Sequence, residues 1–392
     1  MGKGLSAFLT KTISGKGLER LHLENLSGTT IAVDFSNMLY KFLDRYDKSV
    51  FLRTCDSDYY ILEFINLIHK FSKWNIKLIF VFDGKASSLK DDTINNRRNK
   101  RMKNDKKLDG LLLDVLKSKK QKSLDESFDS GIDEEDKEGQ MDQLLDTEIT
   151  TLIRKTKYIK PEHVEKCKEL FISMGVQYIH VISQEADSIF RYLIDEDIAY
   201  ACYSEDMDML AYGCKRVLWG LDFNEKNNTI NQYNLIDILT ELSINYMQFI
   251  NAFILSGTSY NKNLKYSDKF EVNLGFIRRF GMEAGITGVL NNLYIINNGK
   301  ESKLIEPPDV FPYEKVIDIY SRELSSSVKC EIDKSVLNYQ SLEKEWMNKK
   351  STSFLKLQEG KTIIINNIKK ITDNHNEIHY SSKIVNFYVN MR

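Results

Sequence analysis

No run of about 18 consecutive apolar residues occurs in this chain, so no single segment reads as a membrane-spanning helix. The N-terminus carries no apolar signal region. The five cysteines, Cys55, Cys167, Cys202, Cys214 and Cys330, are scattered without a C-x-x-C pair. That spacing fits a reducing compartment and argues against a zinc ribbon or a disulfide framework. A dominant charge sign is missing too: 55 Lys/Arg face 56 Asp/Glu, so global charge announces no polyanionic partner. Gly15-Lys16-Gly17 lacks the spacing of a phosphate loop, and His375-Asn376-Glu377-Ile378-His379 has its glutamate in the wrong place for a zinc-protease helix. No internal repeat is visible. What remains is an ordinary globular composition over 392 residues, enough for a main domain and a smaller one.

The distribution of charge says more than its sum. From Arg97 to Lys122 eleven Lys/Arg stand against three Asp, and from Asp125 to Asp146 ten Asp/Glu stand against Lys137 alone. Such blocks are solvated or flexible segments by default. The basic one, with Arg97, Arg98, Lys100 and Arg101 at its head, also suits phosphate. Met1 to Ser6 fits a short acylation pattern, but no second membrane signal accompanies it, so the reading is no membrane attachment.

Four apolar stretches end in carboxylates. Thr30 to Val33 leads into Asp34, and Lys77 to Phe82 leads into Asp83. The helical stretch from Ile61 to Trp74 lies between them, so the three read as a βαβ unit with a parallel sheet. Val176 to Val181 precedes Glu185 and Asp187, which open a helix. Asp197 to Tyr203 precedes Asp206 and Asp208. In an open α/β sheet, ligands gather beyond the carboxyl ends of the strands. Singly, a strand-end Asp is a turn or cap residue and an acid in a first helical turn stabilises the helix. Six acids at one sheet edge repel one another and call for hard divalent cations, Mg²⁺ or Mn²⁺ on all-oxygen ligands. A pair of ions stabilises both the attacking and leaving oxygens of a phosphoryl displacement. Lys90 and Arg97, beside this edge, suit the scissile phosphate.

These residues resemble the flap endonuclease/XPG (Rad2-like) superfamily of structure-specific 5′ nucleases. The resemblance runs from the initiating Met-Gly through Val33-Asp34, Val81-Phe82-Asp83-Gly84-Lys85, Leu89-Lys90 and Arg97 to Glu185-Ala186-Asp187 and Ser204-Glu205-Asp206-Met207-Asp208. It covers residues 1–105 and 160–260. It implies a central mostly parallel sheet flanked by helices, an α/β fold of the PIN/5′-nuclease type, with a helical arch within about 90–160 and a divergent helical C-terminal region. It also implies two Mg²⁺ ions on Asp34, Asp83, Glu185, Asp187, Asp206 and Asp208. Lys90 and Arg97 would grip the scissile phosphate and Tyr40 would stack on a base. Gly2, Arg98, Lys100 and Arg101 join the nucleic-acid contacts. The partner implied is branched or flapped DNA, bound by a monomer acting in repair, replication or recombination; no motif supports a sliding clamp. The expected location is the nucleus, or a host nucleus for a viral source. The regions drawn on this basis are 1–105 and 161–260 for the nuclease, 106–160 for a charged flexible insertion, 261–305 for a divergent DNA-binding part and 306–392 for a C-terminal extension, set off by Pro307, Pro308 and Pro312.

The sequence departs from the family pattern at three places. Glu185-Ala186-Asp187 replaces the usual Glu-x-Glu. Ser259 stands where a further metal-binding Asp is usual, and Asp268 is an acid that nothing in the sequence places at the site. The Gly-rich segment that grips duplex DNA is not legible in 261–290, where only Asn273-Leu274-Gly275 to Gly281 occupies its place. Two rival readings therefore stay open: a DNA-binding scaffold of the same fold with weakened catalysis, and a PIN-type ribonuclease.

Overall fold

The computed structural model describes residues 3–44, 59–125, 147–183, 185–222, 227–260, 267–280 and 313–336, with side chains of the long helix described to residue 115. Gly2, the acidic block after Asp125, the proline-marked stretch 307–312, the segment 342–346 with its helical pattern and the Asn-, Ile- and Lys-rich tail from 362 lie outside these residues.

Seven strands form one sheet: β1 Leu18–His22, β2 Thr30–Asp34, β3 Lys77–Val81, β4 Gln177–Ile179, β5 Ala201–Tyr203, β6 Arg216–Trp219 and β7 Thr229–Asn234, in the order β1-β7-β6-β5-β2-β3-β4. From β6 to β4 all neighbours are parallel; β7 and β1 add antiparallel pairs at the other edge. The chain builds outward from β2 through β3 to β4, then crosses back to lay β5 on the opposite side of β2. That reversal between β2 and β5 opens a crevice at the carboxyl ends, where such sheets bind ligands.

Alternation along each strand sends side chains to two cores. Ala32, Ile79, Val81 and Cys202 face one core, covered by α1 Lys3–Thr12, α6 Ala186–Asp195, α8 Leu235–Glu241, α9 Tyr246–Leu255, α10 Phe270–Phe280 and α11 Tyr313–Ser321. Ile31, Val33, Phe80 and Tyr203 face the other, covered by α2 Phe35–Asp44, α3 Tyr59–Ser72 and α5 Pro161–Met174. Helix α2 buries Phe35, Met38, Leu39 and Phe42, one face at 3.6-residue spacing. Helix α5 has Pro161 in its first turn and stops at Gly175 in the left-handed conformation, φ 65°.

Local chemistry explains where the elements depart from the sequence pattern. The sequence from Asn234 to Leu255 carries a helical pattern but folds as two helices, because Ser243 adopts φ 52° and Asn245 starts α9 with a capping box closed by Gln248. The region after Leu255, without a legible motif, contains α10, whose Asn273 is fully buried and donates from Nδ2 to Ser256 Oγ at 2.8 Å and to the Ser267 carbonyl at 2.9 Å. The basic block lies on helix α4, Asp91–Asp125, which runs straight through the boundary drawn at 105/106. Residues 147–156, drawn as part of the charged flexible insertion 106–160, are helical as well. Ile149, Leu152 and Ile153 bury themselves against Leu108 of α4. Residues 313–336, drawn as part of a C-terminal extension, put Tyr313, Val316, Tyr320, Ile332 and Val336 into the main core.

Candidate active site

The acids gather where β2, β3 and β5 end. Asp34 is the last residue of β2 and is buried. Its Oδ1 accepts the Asn37 N–H at 3.0 Å, and its Oδ2 accepts the Ser204 hydroxyl at 2.9 Å. Ser204 follows β5 directly, so this bond pins the two strands across the crevice. Asp83, exposed, sits two residues beyond β3. Its neighbour Phe82 packs on Phe35, the residue after Asp34, with ring centroids 4.0 Å apart. Phe171 of α5 in turn stacks on Phe80 at 4.1 Å. Aromatic packing on one face of the sheet thus fixes the backbone that presents both acids.

Helix α6 delivers the next pair. Glu185 is its N-cap and Asp187 lies in its first turn. Glu185 Oε1 accepts the Ser87 N–H at 2.9 Å, while Oε2 accepts from Lys90 Nζ at 2.9 Å and from the Tyr260 hydroxyl at 2.8 Å. Lys90 also lies 3.7 Å from Asp187 and 4.7 Å from the centre of the Tyr260 ring. Asp206 and Asp208 follow β5, with the Asp208 N–H donating to Asp206 Oδ1 at 3.2 Å. Asp208 opens the short helix α7, Asp208–Ala211, and its buried Oδ1 accepts no hydrogen bond.

The electrostatics follow from this crowding. Burial, then the charges of Asp83 and Asp187, push Asp34 well above the ordinary carboxylate range, against the pull of Asn37 and Ser204. Burial pushes Asp187 up to about 7, with Lys90 opposing and Asp83, Glu185 and Asp206 reinforcing the rise. Asp208 also rises, through burial and the charge of Asp206. Asp206 is lowered instead: burial opposes its ionisation, while hydrogen bonds from Asp208 favour it. Burial works against the charge of Lys90, yet Asp187, Tyr260 and Glu185 hold its pKa above the usual lysine value. It stays a cation. Burial keeps the phenols of Tyr212 and Tyr260 protonated.

Among the described residues no three His, Cys, Asp or Glu side chains converge tightly enough to enclose an ion as they stand. The donor set nevertheless suits a hard divalent cation: every donor is oxygen, the acids raise one another's pKa values, and one buried carboxylate oxygen is unpartnered. Ser259 brings no carboxylate. It is buried, and its carbonyl accepts the Thr93 hydroxyl of α4 at 2.8 Å. Asp268 is exposed, with its carbonyl against Gly4 of α1.

Among the other sequence candidates, Tyr40 is exposed on α2, and Arg97, Arg98 and Lys100 are exposed on α4. Arg101 lies over the Tyr158 ring at 4.3 Å. Several residues that hold the site gave no sequence signal of that role, although Ser204 and Glu205 fall inside the stretch that carries the family resemblance. Ser204 and Asn37 flank known acids but look like any strand-end polar residue. Glu205, bonded through its N–H to Asn37 Oδ1 at 3.1 Å and paired with Lys41, reads as surface charge. Tyr260 and Tyr212 read as core aromatics.

Comparison with known proteins agrees with this architecture. A family model described as the XPG N-terminal domain matches residues 1–104, and one described as the XPG I-region matches residues 175–259. Flap endonuclease 1 of Methanobrevibacter smithii is 29% identical over 251 residues, which are 63% of this chain and 68% of that protein. Flap endonuclease 1 of Theileria parva is 29% identical over 268 residues, 67% of this chain but only 48% of the relative. Among solved structures, the catalytic core of Rad2 in complex with DNA substrate has a similar fold, with a TM-score of 0.55 at 20% identity over 81% of this chain and 85% of that one. Human GEN1 in complex with Holliday junction DNA reaches 0.53 at 16% identity, over 83% of this chain and 66% of that one.

Proposed function

The chain belongs to the XPG/Rad2-like superfamily of 5′ nucleases, and from that premise we propose that it is a divalent-metal-dependent nuclease hydrolysing DNA phosphodiesters near single-strand/duplex junctions. The observation that carries the reading is the continuity of two surfaces. Acids at the β2/β5 crevice adjoin Lys90 directly, and Lys90 leads into a helix whose exposed face carries Arg97, Arg98 and Lys100.

Asp34, Asp83, Glu185, Asp187, Asp206 and Asp208 would hold Mg²⁺, two ions in the full reading, with Mn²⁺ as a substitute. Ions bound there supply Lewis-acid stabilisation of the phosphoryl group and acidify bound water. The chain's own residues do the rest. Asp34, clamped by Ser204 and Asn37, keeps one fixed oxygen pair at the crevice. Lys90 stays charged between Glu185 and Asp187 and meets the charge that develops on the scissile phosphate. Arg97, Arg98 and Lys100 attract the backbone and set its path, while the exposed ring of Tyr40 offers a stacking surface. We place the enzyme in the nucleus on the strength of its substrate class and basic block.

One observation favours a second reading, a DNA-binding scaffold: Ser259 leaves one ligand position without a carboxylate. Labelled 5′-flap DNA incubated in Mg²⁺ or EDTA, with wild type and Asp208→Ala, separates the two. Mg²⁺-dependent cutting near the junction, lost in the variant, supports the nuclease. DNA binding without cutting in Mg²⁺ or Mn²⁺ supports the scaffold, and cutting gained by Ser259→Asp would then trace the defect to that ligand.

A further inference from the structure

Behind the acids stands a cluster of three buried tyrosines. Tyr260 has one hydroxyl proton and gives it to Glu185, so its 2.6 Å contact with Tyr212 is Tyr212 donating to the Tyr260 oxygen. The Tyr320 ring packs on both, at 4.7 Å from Tyr212 and 5.7 Å from Tyr260. Tyr246 secures the assembly by reaching the carbonyls of Ala211 and Tyr320 at 2.7 and 3.2 Å. The face of the Tyr260 ring lies under Lys90 Nζ, which donates to the same Glu185 oxygen that Tyr260 holds and also lies near Asp187. Ser259, one residue earlier, takes the Thr93 hydroxyl at the base of α4.

We infer that Tyr260, backed by Tyr212, is a positioning residue that sets Lys90 against Glu185 and so aligns the phosphate-facing cation with the acid site. The assignment rests on the nuclease reading for its catalytic consequence, though not for its geometry. Lysine has four rotatable bonds and a strongly hydrated head. A bare carboxylate opposite would leave it several orientations. The ring beneath and the hydroxyl on the shared oxygen leave it one. Tyr260 reaches Glu185 through its hydroxyl and Lys90 through its ring, so its effect passes through them. The same loop, through Ser259, anchors the first turn of α4, so the cation and the basic helix share one support.

Two measurements test this, one of them independent of turnover. Acetic anhydride labelling of the Lys90 amine, read by mass spectrometry with the other lysines as internal controls, reports how firmly it is held. Labelling is expected to speed up modestly in Tyr260→Phe, which keeps the ring, and further in Tyr260→Leu, which does not. Unchanged labelling in both folded variants overturns the inference whether or not the protein cuts DNA. In single-turnover cleavage of flap DNA, Tyr260→Phe is expected to lose about tenfold in rate, the scale of one lost hydrogen bond to a charged group. Its DNA affinity in EDTA should stay unchanged. The double variant with Lys90→Ala should be no slower than Lys90→Ala alone, because both act as one unit. Additive losses, or a wild-type rate in Tyr260→Phe, overturn the inference. Should Tyr260→Phe melt far below wild type, Tyr212→Phe removes only the outer hydroxyl, with an expected loss of about two- to threefold and the same overturning results. A wild type that cuts nothing, together with faster Lys90 labelling in the variants, defeats the nuclease reading and leaves the positioning role standing.

Discussion

The crevice acids and helix α4 are opposite solutions to holding charge. At the crevice, like charges crowd together: Asp34 is held by Ser204 and Asn37, Glu185 by Ser87 and Lys90, and burial with mutual repulsion shifts several carboxyls upward. Along α4, 35 residues or about 52 Å of helix, most described charges face solvent and meet few protein partners. Its described ties include Thr93 to the Ser259 carbonyl, Arg101 over Tyr158, Lys107 paired with Glu148, and a small apolar patch around Leu108. The first region stores electrostatic strain that a cation, in the proposed reading, would relieve. The second stores almost none and holds its charge ready for a polyanion. Chemistry needs fixed groups, whereas a variable backbone path tolerates a loosely tied helix.

The sharpest way to break this comparison is Asp34→Asn. Cleavage should fall by about 10³-fold or more, since a ligand to the ions is lost. In EDTA the variant should gain stability relative to wild type as pH rises, because the amide carries no charge to repel Asp83 and Asp187. Parallel pH profiles of melting temperature would mean that Asp34 is not strained by its neighbours. On α4, Arg97→Ala and Lys100→Ala should each weaken flap-DNA binding several-fold. Each should also lower the slope of log affinity against log salt by roughly one, read by fluorescence anisotropy.

A subtler test uses pH. The raised pKa of Asp187 means the folded state binds its proton more tightly than the unfolded chain. That contribution is fully present below about pH 4 and is lost as pH rises through about 7. In EDTA, wild type should therefore lose more stability over this window than Asp187→Asn, by a few degrees in melting temperature, and Mg²⁺ at pH 7.5 should restore the difference. Equal pH profiles would place Asp187 outside the coupled cluster. The smallest effect is expected at Lys107→Ala. Its exposed pair with Glu148 spans 2.6 Å and should contribute within about 0.5 kcal/mol to stability by denaturant titration.

Much of this was legible because it is local. An apolar run ending in Asp marks both the strand and the acid, so β2 and β3 could be read with Asp34 and Asp83 together. The antiparallel ribbon was not. Leu18-Glu19-Arg20-Leu21-His22 shows no clean alternation, and its identity as a strand depends on pairing with residues 229–233, far along the chain. The supports of the site are hidden for the same reason. Ser204 meets Asp34 across 170 residues and Tyr260 meets Glu185 across 75, separations that no local pattern encodes. Residues 313–336 read as an appendage because prolines precede them, yet burial of Tyr320 makes them part of the site's rear wall.

That last feature imposes an order in time. All six acids are translated by residue 208, but the ring that closes the wall behind Tyr212 and Tyr260 arrives only with Tyr320. At roughly 5–20 residues per second, synthesis leaves an interval on the order of ten seconds in which a nascent chain carries every acid and lacks its backing. The six acids are therefore made early and the wall behind them is completed late.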